Sequence, residues 1–300
     1  MKTLTPEKLV KRLEGLAPHP RVVAAGNFAT PHRLLELVDG NVETFTLHML
    51  NAQGEIPDRP GVTHETTFVG PAMRKSPALM YYPCRLSLTP VILRYQLPVD
   101  VLLLHTSTPR DGLVSMGVEV NILPAVLEAV RDRGGVVIAQ VNKQMPHTFG
   151  DGVVHVDDID YAIEVDEPLM THEPGEPDDI SKAIADHILR KIPDGATLQL
   201  GIGAVPDAVL GSLTSRRGLR IWSEMFSDGV LPLHELGAFD SEVPLTASFA
   251  FGSQRLYDWL DGNRRVRMRR TETTNAPGRI SRTPAMISVN SALQVDLYGQ

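Results

Sequence analysis

The stretch that decides the fold is QLGIGAVPDAVLGSLTSRRGLRIWSEMFSDG, residues 199–229. Its first residues end an apolar strand, and a helix is predicted to begin directly after Gly203. Gly201 and Gly203 allow a tight turn whose backbone N–H groups can point at a ligand. Glu224 is expected at the carboxyl end of the next strand. Because ligands bind at that edge of open α/β sheets, we expect the glycine loop and Glu224 to face one crevice.

Strand-like and helix-like segments alternate along most of the chain. Strands are predicted over residues 21–26, 99–106, 135–141, 197–203, 219–224, 245–252 and 286–299, and helices over residues 31–38, 122–133, 178–192 and 204–213. This alternation is typical of parallel sheets covered by helices. Acids and prolines interrupt it around residues 165–179, where we predict an interdomain linker. The expected fold class is α/β, with two open, mostly parallel-sheet βαβ domains at residues 1–170 and 178–300.

Composition and charge exclude several classes of protein. Three hundred residues suit two domains, and 42% hydrophobic with 22% charged residues exclude disordered and fibrous classes. A net charge of −7 argues against a general polyanion binder. Cys84 is the single cysteine, which excludes an internal disulfide and fits a reducing compartment. With no secretion signal and no apolar run near the ~18 residues that span a bilayer, we expect a cytoplasmic protein without a membrane partner.

Three interpretations of residues 199–229 are open from spacing alone. In the first, the glycine turn binds a dinucleotide and Glu224 its ribose; Pro206 disfavours this, because it occupies the third glycine position of that motif. In the second, the loop amides form an oxyanion hole and Glu224 is the nucleophile of an acyl transfer. In the third, Glu224 is a surface or capping carboxylate. The ten histidines show no paired ligand spacing, so we expect no metal.

A resemblance to a known family favours the second interpretation. LQLGIGAVPDAVL (198–210) and SEMFSDGV (223–230) resemble the signature of the acetyl-CoA hydrolase/transferase family, which includes 4-hydroxybutyrate and other short-chain acyl CoA-transferases. Further segments that resemble this family, in the same order along the chain, are residues 25–31, 68–74, 97–121, 141–160 and 290–300. The resemblance implies a fold of the class I CoA-transferase type.

The resemblance also implies roles for individual residues. Glu224 matches the family's glutamate nucleophile. Its carboxylate would displace a thiolate from a thioester to give an acyl-glutamyl anhydride, which the thiolate then attacks to leave a glutamyl-CoA thioester. Gln199 and Gly201 match a glutamine and a glycine of the family's acyl-CoA-binding loop. The backbone N–H of Ile202 is the implied oxyanion donor, and Gly203 belongs to the same loop.

Other positions carry weaker implications. Asn27 lies in the first strand–helix turn, where relatives place a polar residue of the substrate pocket. Asn121 stands where many relatives carry aspartate. The family's chains continue well beyond Gln300, so we expect the second domain to be incomplete. The alternating arginines of RRVRMRR (264–270) favour a solvated edge strand, with contact to CoA phosphates or to nucleic acid as the other interpretations.

The function expected from this resemblance is transfer of CoA between acetyl-CoA or another short-chain acyl-CoA and a carboxylic acid such as acetate, butyrate or 4-hydroxybutyrate. Acetyl-CoA hydrolysis is the alternative, because water that reaches the anhydride converts a transferase into a hydrolase. A dinucleotide-binding oxidoreductase and a non-catalytic CoA-binding subunit stay open as more remote alternatives. We expect no permanently bound cofactor, acyl-CoA and carboxylates as small-molecule partners, no nucleic acid, and a homodimer as a reasonable assembly.

Overall fold

The computed structural model describes residues 1–201, 203–292 and 294–299. Its first part is built on an eight-stranded sheet in which all neighbouring strands are parallel. The strands of this part are β1 (Lys2–Thr3), β2 (Arg21–Ala24), β3 (Phe45–His48), β4 (Val62–Thr66), β5 (Leu79–Tyr81), β6 (Val101–Thr106), β7 (Leu113–Ser115), β8 (Val136–Asn142), β9 (Val153–His155) and β10 (Tyr161–Val165). The spatial order is β1-β10-β8-β6-β2-β3-β4-β5, while β7 and β9 form a separate antiparallel pair.

Helices connect and cover the strands. They are α1 (Pro6–Leu13), α2 (His32–Asn41), α3 (Thr89–Tyr95), α4 (Leu123–Arg133), α5 (Asp179–Leu189), α6 (Ala204–Ser212), α7 (Val230–Glu235), α8 (Gln254–Leu260), α9 (Thr271–Thr274) and α10 (Pro277–Ile280). Because helices pack on both faces of the sheet, its central strand β6 is buried at all six positions. Within the described ranges, no helix combines the length and the apolar character needed to cross a bilayer.

The second part contains shorter strands. They are β11 (Thr197–Leu200), β12 (Arg220–Ile221), β13 (Met225–Phe226), β14 (Leu245–Ala247), β15 (Phe249–Ala250), β16 (Val266–Met268) and β17 (Met286–Val289). A bridge between Trp222 and Thr246 joins the β12-β11-β17 sheet to the β14-β16 pair, which gives the parallel order β16-β14-β12-β11-β17. Strands β2 to β6 follow the same pattern, in the order β5-β4-β3-β2-β6. The two parts of the chain thus repeat one topology.

The α/β class with mostly parallel sheets is confirmed, and most predicted strands and helices are present. The division at residues 1–170 and 178–300 stays a prediction, although residues 166–178 indeed contain no helix or strand. The predicted strand over 286–299 was too long, since β17 ends at Val289 and the described residues after it form no helix or strand.

The strand predicted over 219–224 is also shorter than expected. β12 ends at Ile221, and the chain bends at Glu224 before β13 begins. The cause is Ser223, whose hydroxyl accepts a hydrogen bond from the Leu200 N–H (3.0 Å) and donates one to the Leu200 carbonyl (3.1 Å). The Ser223 hydroxyl therefore makes hydrogen bonds to β11 at the position where the backbone of a continuing strand would make them. This places Glu224 in a bend between two short strands and beside the end of β11.

The two parts of the chain meet through backbone hydrogen bonds and one continuous apolar core. The Val120 N–H donates to the Ser248 carbonyl (2.9 Å) and the Ala250 N–H donates to the Val118 carbonyl (2.9 Å). The rings of Phe28 and Phe251 stack across the same junction with centroids 4.0 Å apart. The segment before α4 is thus held firmly against the strand that lies beside Glu224.

Candidate active site

Glu224 is held by its backbone on one side and by an amide on the other. Its carbonyl accepts hydrogen bonds from the N–H groups of Ser248 (2.7 Å) and Phe249 (3.0 Å). The Nδ2 of Asn275 donates to the Glu224 carboxylate at 3.4 Å. Burial raises the pKa of Glu224, and the Asn275 hydrogen bond opposes that rise. The result is a partly exposed carboxylate with few hydrogen bonds, which is the state that a nucleophile needs.

The glycine loop lies next to Glu224, because β11 and β12 are neighbours and both end at this edge. Gly201 is packed closely: a Cβ there would come within 2.7 Å of the Asn290 Oδ1. Gly203 precedes α6 with φ +124° and ψ 178°, a conformation that is essentially restricted to glycine. Ile202, whose N–H was the implied oxyanion donor, lies outside the described residues.

Gln199 is directed toward β17. Its Nε2 donates to the Asn290 Oδ1 at 3.2 Å, and its Oε1 accepts hydrogen bonds from the Ser288 hydroxyl and from the Asn290 Nδ2 (2.8 Å). These hydrogen bonds join the loop to the neighbouring strand. The role of Gln199 in binding acyl-CoA stays a prediction.

Asn27 lies in a buried polar cluster. Its Nδ2 donates to the Glu119 Oε2 at 2.5 Å, and its Oδ1 accepts a hydrogen bond from the Asn51 Nδ2 at 2.6 Å. Glu119 is 1% exposed and Asn27 is 1% exposed. Asn27, Asn51 and Asn121 all have positive φ, at 47°, 46° and 30°. Left-handed backbone at several non-glycine residues is uncommon, and such strain is concentrated at functional sites.

Glu119 brings this cluster next to Glu224. It forms an antiparallel bridge with Phe249, and Phe249 is also paired with Met225, the residue after Glu224. The negative charge of Glu224 acts on Glu119 as one cause of its raised pKa. Asn27, which was predicted from the sequence, therefore lies in the same site as Glu224, and Glu119 connects the two.

Three members of this site, Glu119, Asn275 and Asn51, were not predicted from the sequence. Glu119 lies in a segment that was noted because of Asn121, but a single glutamate after an apolar run carries no signal of its own. Asn275 is about fifty positions from Glu224, and Asn51 follows the end of β3. The carboxyl ends of two different sheets meet here, so these contacts depend on tertiary packing.

The arginine-rich segment takes part in a different surface. β16 pairs with β14 on one side and, through a parallel bridge between Met268 and Gly150, with residues 149–151 on the other, so the predicted solvated edge is wrong. The Arg269 guanidinium donates to Asp151 (2.8 Å) and the Arg265 guanidinium to the Asp240 carbonyl (2.7 Å). These two arginine side chains are thus hydrogen-bonded to other parts of the protein, whereas those of a solvated edge strand would contact water. Arg267 and Arg269 line a cleft of about 1230 Å³ that opens near the amino-terminal ends of β11 and β12, away from Glu224.

No group of three or more histidine, cysteine, aspartate or glutamate side chains could hold a metal ion in the part of the chain that the structure describes. The side chains that interact with the Glu224 carboxylate are the Asn275 amide and the Glu119 carboxyl. Amide donors and carboxyl groups can stabilise a negatively charged oxygen and hold a proton, which are the tasks of acyl transfer.

Comparison with known proteins decides the family. A model of the acetyl-CoA hydrolase/transferase N-terminal domain matches residues 45–172, and a model of the C-terminal domain of the same family matches residues 252–300. The 4-hydroxybutyrate coenzyme A transferase of Clostridium kluyveri is 36% identical over an alignment 319 residues long, which covers 100% of this chain and 72% of that protein. The chain belongs to the acetyl-CoA hydrolase/transferase family.

Other relatives agree with this assignment. The succinyl-CoA:acetate/propanoyl-CoA:succinate CoA transferase of Fasciola hepatica is 31% identical, over 92% of this chain and 61% of that protein. A crystal structure of 4-hydroxybutyrate CoA-transferase from Porphyromonas gingivalis matches with a TM-score of 0.83 and 30% identity, over 98% of this chain and 73% of that one. RipA from Yersinia pestis has the same fold, with a TM-score of 0.91 at 23% identity, over 99% of this chain and 74% of that one.

These matches confirm the family predicted from the sequence and its class, an enzyme family of CoA-transferases and acetyl-CoA hydrolases. The chain spans 72% and 61% of the length of these two curated relatives, and 73% and 74% of the length of these two crystal structures. Acetyl-CoA hydrolases also match, and that of Kluyveromyces lactis is 32% identical over 42% of this chain and 27% of that protein.

Proposed function

We propose that this protein transfers CoA between a short-chain acyl-CoA, such as acetyl-CoA, and a carboxylic acid, with Glu224 as the nucleophile. The observation that carries the proposal is the position of Glu224. Its carboxylate is partly buried in a bend at the carboxyl edge of β12, beside a glycine loop, in a chain of the CoA-transferase family. A bound acyl-CoA would cover this partly exposed carboxylate, which could then attack the thioester with little competition from water.

The proposed reaction proceeds in balanced steps. The Glu224 carboxylate attacks the thioester carbonyl, the C–S bond breaks, and CoA leaves as a thiolate while an acyl-glutamyl anhydride forms. The thiolate then attacks the glutamyl carbonyl of the anhydride, which releases the first acid as a carboxylate and leaves CoA bound to Glu224 as a thioester. A second carboxylate repeats these steps in reverse order and departs as its own CoA ester.

Each tetrahedral intermediate places negative charge on an oxygen. We propose that the backbone N–H of Ile202 stabilises this oxyanion, with Gly201 and Gly203 permitting the close approach and Gln199 binding in the same loop. Losing one such donor typically costs about 3 kcal/mol of transition-state stabilisation. Asn27, anchored by Glu119 and Asn51, is proposed to line the substrate pocket.

The same proposal covers the location, the substrates, the domains and the assembly of the protein. We place the protein in the cytoplasm, because its one cysteine, Cys84, is free and suits a reducing compartment. CoA and acyl-CoA act as substrates, with no permanently held cofactor. The two βαβ domains would lie at residues 1–170 and 178–300, and the assembly would be a homodimer. Acetyl-CoA hydrolysis is the second candidate, because hydrolases occur among the relatives.

A transfer assay tests this proposal. Purified protein is given acetyl-CoA and a series of carboxylic acids, and both the new acyl-CoA and free CoA are quantified by liquid chromatography. We expect formation of the new acyl-CoA, its loss in Glu224→Gln, and no change in Glu235→Gln, an exposed carboxylate that is paired with Arg255 on the protein surface. Release of free CoA without any new acyl-CoA would favour the hydrolase, and full transfer by Glu224→Gln would disprove the assignment of the nucleophile.

A further inference from the structure

The Glu119 carboxyl is fixed by a chain of side-chain amides. The Asn27 Nδ2 donates to it, the Asn51 Nδ2 donates to the Asn27 Oδ1, and the Gln53 Nε2 donates to the Asn51 Oδ1 at 3.1 Å. Each link has a defined donor and acceptor, so the orientation of Asn27 depends on Glu119. Chains of this kind rigidify a site when all their members are paired.

Two carboxyl groups share this poorly hydrated site. Glu119 and Glu224 lie on segments that pair with the same strand residue, Phe249. Among the neighbouring segments, the groups that face Glu119 are the Asn27 and Asn121 amides and one ionisable group, Glu224. No described cation compensates Glu119. Two like charges in such a site are costly, so one carboxyl group keeps a proton.

Glu119 is the group that keeps it. Burial raises its pKa to about 8, the hydrogen bonds from Asn27 and Asn121 oppose this, and the charge of Glu224 raises it further. Glu224 is more exposed, and the Asn275 amide hydrogen-bonds to its charged form. Of the two carboxyl groups, Glu224 is therefore the one that ionises at the lower pH.

An unpaired acceptor supports the same protonation state. The Asn121 Oδ1 is buried and has no hydrogen-bond partner among the residues that the structure describes. Leaving a buried acceptor unpaired is costly, because the desolvation of that atom is not compensated. A neutral Glu119 has an O–H to donate. A half-turn of the Asn121 amide exchanges its Oδ1 and Nδ2 and places Oδ1 toward Glu119. The two orientations of an amide differ only in which atom is oxygen and which is nitrogen. In that orientation the Glu119 O–H donates to the Asn121 Oδ1, and the Nδ2 takes the position that the Oδ1 had.

We propose that Glu119 is a positioning residue that holds one proton between Asn27 and Asn121, so that the site carries its single negative charge on Glu224, and that loss of this proton inhibits CoA transfer at alkaline pH. The kinetic part rests on the proposed function. An ionised Glu119 would add a negative charge beside a site that must bind a carboxylate substrate and stabilise an oxyanion. Both are repelled by it.

The decisive variant is Glu119→Gln, which keeps the shape of the protonated acid but cannot ionise. In the transfer assay, the wild type is expected to lose activity above about pH 8, with a rise in KM for the carboxylate acceptor. Glu119→Gln should be active near neutral pH and should lack this alkaline decline. A purely structural role would not change the pH profile. Retention of the wild-type decline by Glu119→Gln, or inactivity of a correctly folded Glu119→Gln at every pH, would overturn the proposal.

A substrate-free measurement separates this inference from the proposed function. Infrared difference spectra of the wild type should contain a protonated carboxylic acid band near neutral pH that disappears above about pH 8. The band should be absent in Glu119→Gln and present in Glu65→Gln, because Glu65 is also 1% exposed but is paired with His48 and Arg21.

If Glu119→Gln does not fold, Glu224→Gln answers the same question. Removing the charge of Glu224 should move disappearance of the band to lower pH. A wild-type spectrum without the band would contradict the proposal, whether or not the protein transfers CoA. A protein that shows the band but transfers no CoA would instead contradict the proposed function.

Discussion

Replacing Glu119 by Gln should change how the stability of the protein depends on pH. The pKa of Glu119 is raised from 4.5 to about 8 in the folded protein. Between these values the folded protein holds a proton that the unfolded chain has released. The free energy of unfolding of the wild type therefore falls as pH rises through this interval and is then constant. Each pH unit costs about 1.4 kcal/mol, so the total from Glu119 is on the order of 5 kcal/mol.

The assay is urea unfolding of both proteins at a series of pH values, with the free energy of unfolding extrapolated to water. Other groups whose pKa is raised by burial, such as Asp207 and Glu272, affect both proteins equally and cancel in the difference. We expect Glu119→Gln to gain stability relative to wild type as pH rises from about 5 to about 8. A difference that is the same at every pH would refute the reasoning.

Glu65→Gln is the matched control, with the opposite sign. Burial raises the pKa of Glu65, but the hydrogen bond and charge of His48 and the charge of Arg21 outweigh burial, and the pKa is lowered. Its ionised form therefore adds stability that is present above the pKa of the unfolded chain and is lost as pH falls through the lowered pKa. Glu65→Gln should lose stability relative to wild type as pH rises out of the acid range. The same slope in both variants would show that the two carboxyls do not differ in protonation.

Three further predictions concern the surroundings of Glu224. Gly203→Ala places a side chain on a residue with φ +124°, although nothing within 4 Å would meet the new Cβ. Because this backbone conformation is strained for alanine, we expect calorimetry to show a loss of about 1–3 kcal/mol in the free energy of unfolding. Unchanged stability would exclude this strain. Asn275→Ala removes a hydrogen bond to the charged form of Glu224, so the pKa of Glu224 should rise and the loss of transfer activity at acid pH should begin at a higher pH. A loss that begins at a lower pH would contradict that role. Phe251→Ala removes the ring stacked on Phe28 at 4.0 Å. Because Phe251 is only partly buried, urea unfolding should show a loss at or below the lower end of the ~3–5 kcal/mol range of a fully buried phenylalanine. A loss under about 1 kcal/mol would mean that the stack contributes little.

The sequence predicted the parallel sheets and the glycine loop because both depend on local patterns. The first four residues of β6 are apolar, and Gly203 is required by its own backbone conformation. The adjacency of Glu224 to this loop also follows from the rule that parallel strands end at the same edge. The predicted strand was too long because the hydroxyl of Ser223 replaces a backbone ladder bond, which residue propensities do not reveal.

Glu119, Asn51 and Asn275 could not be predicted, because they reach the site from different segments and are joined by packing between the two parts of the chain. A buried glutamate is also an unlikely guess from composition, since glutamate is rarely buried without a charged partner. Its pairing with asparagine amides, and not with a cation, is visible only when the bridge between Glu119 and Phe249 is known.

The covalent role of Glu224 is tested most directly by mass spectrometry of the protein after incubation with acetyl-CoA alone. Rapid acid quenching preserves the thioester before digestion, and the peptide that contains Glu224 is then examined. We predict CoA attached to this peptide as a thioester in the wild type, removal of the CoA by added acetate, and no adduct in Glu224→Gln. CoA attached to another residue, or turnover of acetyl-CoA by Glu224→Gln at the wild-type rate, would contradict the account.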